Sequence, residues 1–215
     1  SPQFLDLDNL FNVLRQISII ALLAFGMTFV ILTGGIDLSV GSTLALSGAL
    51  TAGMMAAGVD PILAVILGIL AGGLMGAFNG IIIAKGKVAP FIATLATMTI
   101  FRGLTLVYTD GRPVTGFTDS VFFELLGKGY FFGIPVPVIT MFAIFLILLF
   151  VLKKTIFGRH VYALGGSEEA SILSGVKANR IKIYVYSLTG ALSALAGIIL
   201  TSRLGSAAPI AGLTY

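Results

Sequence analysis

The sequence predicts an all-α, polytopic integral membrane protein, a single transmembrane domain over residues 1–215 with about six spanning helices. Three observations lead there. Of 215 residues, 57% are hydrophobic and only 10% charged, with a mean hydropathy of +1.07, a balance foreign to water-soluble domains. The apolar residues form continuous runs close to the roughly 20 residues that a helix needs to cross a hydrocarbon core. The runs do not alternate, and an open sheet in lipid would leave backbone groups unpaired, so helices are expected. Finally, the basic residues collect between the runs.

The first run, Leu10 to Thr33, ends in Thr33-Gly34-Gly35-Ile36-Asp37-Leu38-Ser39-Val40-Gly41-Ser42. Glycines stop one helix here, and Asp37 or Ser39 can cap the next. The same interrupted backbone is a candidate lining for a solute path, because non-helical chain at membrane depth survives only where protein or water satisfies it. The second run, Ser42 to Ala57, spaces Ala45, Ala49, Gly53 and Ala57 every four residues. The third, Pro61 to Ala84, does the same with Gly68, Gly72, Gly76 and Gly80. Such bare ridges let helix backbones approach closely, which drives association where lipid is as apolar as leucine. Asn79 should face another helix or a wet cavity, as should Thr94, Thr97 and Thr105 of the fourth run, Phe91 to Tyr108. Arg102 is the one formal charge well inside a run; its long side chain either snorkels outward or belongs to a path. The last runs are Val136 to Leu152 and Ile181 to Leu200. Leu46 to Gly53 and Leu188 to Gly197 read alike, through shared small-residue bias or an internal duplication.

Lys85 and Lys87 share one short loop, and Lys153, Lys154, Arg159, Lys177, Arg180 and Lys182 crowd the 153–182 segment. The positive-inside rule puts both in the cytoplasm. Alternation places Ser1 to Asn9, the Asp60 turn, the 109–135 loop and Arg203 onward outside, with Asp6, Asp8, Asp60, Asp110, Asp119 and Glu124. An external start needs an upstream helix, and the first residues carry no signal-peptide features. The 13 Lys and Arg behind the net charge of +4 are spread along the chain, a topology signal and not a nucleic-acid footprint. Without cysteine, no disulfide or thiolate metal site can be drawn. Gly86-Lys87 and Gly127-Lys128 lead into Val88 and Gly129, so no phosphate-cradling Gly-x-x-x-x-Gly-Lys-Ser/Thr loop is present. No catalytic or cofactor site is expected in this chain.

Within 153–182, Ser167 is a good N-cap, Glu168 and Glu169 suit a helix N-terminus, and Gly175 suits its stop. Ala170, Leu173 and Val176 recur every three positions, a shared face for a partner protein or for the bilayer. Glu169-Ala170-Ser171-Ile172-Leu173-Ser174-Gly175 resembles the Glu-Ala-Ala-x-x-x-Gly loop of permease subunits of bacterial ABC importers. Gly35-Ile36-Asp37-Leu38-Ser39-Val40-Gly41-Ser42, Ala84-Lys85-Gly86, Phe91-Ile92-Ala93-Thr94-Leu95 and Gly158 to Gly166 are similar to the ribose-type sugar permeases, over nearly the whole chain. Val185-Tyr186-Ser187-Leu188 departs from the Ile-x-Leu-Pro of many importers.

The resemblance implies a permease of about ten spanning helices in the bacterial cytoplasmic membrane, of which this chain holds the second to seventh and is incomplete at both ends. It implies a second permease copy, ATP-binding cassette subunits that hold ATP and Mg, a periplasmic or extracellular sugar-binding protein, and lipid around the bundle. Ser167, Glu168, Glu169, Ala170, Leu173 and Gly175 are then the ATPase-coupling residues, and Asp37, Ser39, Asn79, Thr94, Thr97 and Arg102 candidate path residues. Ribose is the first substrate expected; other monosaccharides, autoinducer-like sugars and branched-chain amino acids are alternatives. A secondary transporter needs an intramembrane Asp, Glu or His for its driving ion, and the runs hold none in their middle.

Overall fold

A computed structural model describes residues 7–117 and 120–215. Asp6 and Asp119 lie outside the described residues, as does the side chain of Asp8. Among the described residues the regular elements are helices and one small hairpin. Its elements are α1 (Leu7–Leu32), α2 (Val40–Ala56), α3 (Pro61–Gly86), α4 (Pro90–Tyr108), α5 (Val121–Lys128), β1 (Tyr130–Phe131), β2 (Ile134–Pro135), α6 (Val136–Lys154), α7 (Ile156–Gly166), α8 (Glu168–Leu173) and α9 (Ala178–Leu204). Five of these, α1, α3, α4, α6 and α9, are long and apolar enough to cross a membrane. The sixth expected span, α2, has 17 residues, about 25 Å of helix, and most of it is buried inside the bundle.

Local chemistry sets the helix ends. The Asp60 carboxylate accepts from the Ile62 and Leu63 amides at 3.0 and 3.1 Å, and Pro61 at the first helical position has no amide to leave unpaired. Pro90 opens α4 in the same way. Three elements arise inside segments that the sequence marked only as the 109–135 and 153–182 loops. Ser120 caps α5 and Thr155 caps α7, while residues 130–135 form the β1–β2 hairpin.

The centre of the bundle is the antiparallel pair α3 and α9. A Cβ at Gly76 would strike the Tyr186 carbonyl, one at Gly80 the Ile183 backbone, and one at Gly72 or Gly190 the carbonyl of the other. The expected glycine ridge is therefore a backbone-to-backbone seam, and Gly68 extends it to Thr51 of α2 and Ile198. The resemblance between Leu46–Gly53 and Leu188–Gly197 has a packing reason, since Gly48 sits against Thr201 and Gly197, and Gly197 against the Leu44 carbonyl. α1 lies along α9, and α6 lies outside α1, where Phe25 and Phe145 meet at 5.6 Å. Opposite the seam, Leu70, Leu74 and Phe78 of α3 are exposed, as are Phe142, Leu146, Ile147 and Phe150 of α6; these are surfaces that lipid would cover.

Because α3 and α9 are antiparallel, Lys85, Lys87, α7, α8 and the start of α9 share one end of the bundle, here the basic end. The opposite end carries Asp60, α5 and the hairpin. There the Ser202 hydroxyl donates to the Phe123 carbonyl, and Val114 and Ala207 exchange backbone bonds at 3.0 Å.

Candidate functional site

At the basic end, α8 is built as the sequence suggests. Ser167 Oγ accepts from the Ala170 amide at 3.2 Å, Glu168 and Glu169 fill the first turn, and Gly175 takes a left-handed φ of +86°. Lys182 of α9 grips both Glu168 oxygens at 2.7 Å, so α8 is tied to the start of a membrane-crossing helix. Ala170, Ile172 and Leu173 are exposed, Leu173 at 90%. The face is not the one the three-residue spacing gives. The helix stops at Leu173, Gly175 turns the chain, and half-buried Val176 packs against the edge of the core, where with Ile172 it lines a shallow groove of about 350 Å³ that runs to Arg180.

The second constellation surrounds the link between α1 and α2. Asp37 is 2% exposed, and its carboxylate accepts from the Ser39 amide at 2.9 Å and the Ser39 hydroxyl at 2.6 Å. Asn79 Nδ2 of α3 donates to that hydroxyl at 2.8 Å. The Tyr186 hydroxyl of α9 donates to the Ile36 carbonyl at 3.1 Å. A buried carboxylate and a bare backbone are costly unless such bonds are made. The Ser39 side chain does not cap α2: Ser39 stands at the cap position in a helical conformation, φ −83° and ψ −7°, without a cap bond, and it is Asp37 that takes up a backbone amide at this helix start, that of Ser39. The Ser39 hydroxyl is already committed to Asp37 and Asn79. Tyr186 was missed by the sequence reading, although a phenol among small residues in a membrane helix needs a partner for its polar tip.

Arg102 does not snorkel outward. Its Nη1 donates to the Pro209 and Ala211 carbonyls at 2.6 and 2.7 Å, holding the non-helical 206–215 segment, whose Gly212 carbonyl lies against Gly41 at the start of α2. Between them is a cavity of about 430 Å³ lined by Leu38, Ser42, Met98, Thr99 and Arg102 among others. Asp37, Ser39 and Asn79 are not among its walls. Four of the expected path residues thus fall into two groups, Asp37, Ser39 and Asn79 in a buried brace and Arg102 in a cavity wall. Thr94, Thr97 and Thr105 join neither; they are buried and donate to carbonyls of their own helix.

The family described as branched-chain amino acid transport system / permease component matches residues 9–215. The chain belongs to this permease family. The permease is 62% identical over 215 residues to the ribose import permease protein RbsC of Bacillus subtilis, covering all of this chain and 67% of that protein. It is 51% identical over 217 residues to RbsC of Escherichia coli K12, covering all of this chain and 68% of that protein. With the D-allose transport system permease protein AlsC of the same organism it shares 44% over 218 residues, 100% of this chain and 66% of that one. The chain thus spans about two thirds of the length of these relatives. No solved structure matches it. The permease is a multi-pass membrane protein and a transport subunit, not an enzyme.

Proposed function

We propose that this chain is the membrane-spanning core of a ribose importer of the bacterial cytoplasmic membrane, driven by ATP that a separate subunit binds with Mg and hydrolyses. The similarity to ribose import permeases along the whole chain carries the reading, and the exposed α8 fits it. In this reading the basic end faces the cytoplasm and the ATP-binding cassette subunit grips Glu169, Ile172 and Leu173. Closure of the ATPase pair then pushes α8, and the Glu168–Lys182 pair passes that displacement to α9. A second copy of the permease completes the passage, and an external sugar-binding protein delivers ribose to the opposite end. The solute meets a weakly polar wall of the Ser42, Thr99 and Arg102 kind, because selection is made by the binding protein.

The test is reconstitution. The full-length permease is co-expressed with the ATPase and binding protein of its own chromosomal neighbourhood and placed in proteoliposomes. ATP-dependent ribose uptake that requires the binding protein is expected, with little competition from allose. Failure of the permease to retain an ATPase subunit through purification would overturn the importer reading, and uptake of allose in preference to ribose would overturn the substrate.

A further inference from the structure

The β1–β2 hairpin turns through Phe132 and Gly133, both at positive φ, +49° and +79°. That pattern belongs to a tight hairpin turn in which Asn, Asp or Gly is favoured at the first position, because a bulky side chain there is strained. Phe132 is nonetheless 92% exposed, and Phe131 and Ile134 are also exposed. Nothing else in the described chain covers the Phe131–Phe132 pair, whose rings meet edge to face at 4.7 Å.

The hairpin sits at the outer rim of the α1–α6 pair. Tyr130 packs on Phe11 at 6.3 Å with the Arg15 guanidinium 4.6 Å from its ring centre, and Pro135 leads directly into α6. Further along, α6 exposes Phe142, Leu146 and Phe150. The tip stands at the level where this spanning helix, with its bare apolar side chains, begins. A tyrosine backed by a cation, with two phenylalanines beyond it, is the composition of a membrane-interface anchor. From this juxtaposition we propose that the 130–135 hairpin is a lipid anchor, its Phe131–Phe132 tip seated at the headgroup–acyl boundary beside α6. The proposal needs only the membrane-spanning bundle and is independent of the solute carried.

The 215 residues contain no tryptophan, so Phe132→Trp adds one reporter to them, read after subtraction of the parent spectrum. The full-length permease is placed in phosphatidylcholine vesicles whose acyl chains are brominated either near the ester or near the chain end. Expected are loss of the added emission with bromine near the ester, a smaller loss with bromine near the chain end, and little quenching by aqueous iodide. Strong iodide quenching without bromolipid quenching would overturn the anchor. So would protection from both quenchers on addition of the external binding protein, which would make the tip a protein contact. Phe131→Trp is the second reporter if the first variant does not insert, and the same quenching order is expected of it.

Discussion

Asn79 belongs to a run of hydrogen bonds with a fixed direction. The single Ser39 hydroxyl proton goes to Asp37, so Ser39 can only accept from Asn79, and the amide nitrogen must face it. Asn79 Oδ1 is left buried without a partner among the described residues. Asn79→Leu removes one donated bond and relieves that orphan acceptor, so a loss of about 1 kcal/mol is expected. Asn79→Asp keeps the shape but sets a second carboxylate against an oxygen whose proton is already given to Asp37, leaving a buried charge unpaired; a loss of about 3 kcal/mol or more is expected. Thermal unfolding in detergent ranks the two, and the reverse order would refute the donor direction. Arg102 was ambiguous in the sequence for a physical reason: its partners are carbonyls 107 and 109 positions away, and carbonyls carry no residue-type signal.

At the scale of the element, the membrane helices were legible because every apolar run has to satisfy its own backbone in lipid. The short elements were not. α5 and α7 have 8 and 11 residues and are held by Ser120 and Thr155 caps and by tertiary contact, and the hairpin hides behind a phenylalanine where its turn favours asparagine. Periodicity also grouped Val176 with the α8 face although it lies beyond the glycine that ends the helix, and it left out Ile172, which is exposed. The small-residue ridge was legible, and its consequence is position-specific. Gly76→Ala puts a methyl on the Tyr186 carbonyl and should destabilise by about 1–3 kcal/mol. Gly73→Ala, whose Cβ would meet its nearest neighbours at 3.8 Å, should be neutral or slightly stabilising. Melting temperatures of the detergent-solubilised variants check this, and equal effects would refute the seam. On α8, Glu169→Lys or Leu173→Ser should lower transport-coupled ATP hydrolysis severalfold and leave insertion and melting unchanged, since both side chains are exposed and bonded to nothing among the described residues. Unaltered hydrolysis would remove the docking role.

For the whole molecule, the charge pattern sets an orientation that cysteine labelling can read, as the 215 residues contain no cysteine. Arg112→Cys, in an exposed turn, should react with an impermeant maleimide on intact cells, and Lys154→Cys, at the end of α6, only after lysis. The opposite result would carry α8 away from any cytoplasmic ATPase. The α3–α9 seam bears on how such a bundle moves. Where side chains meet, two helices can slide by switching rotamers; where carbonyls lie in glycine notches, one backbone would have to climb over the other. The pair is built as a keyed spar, to which the Tyr186 bond fastens the 33–39 link, while Arg102 fastens the 206–215 strap beside it.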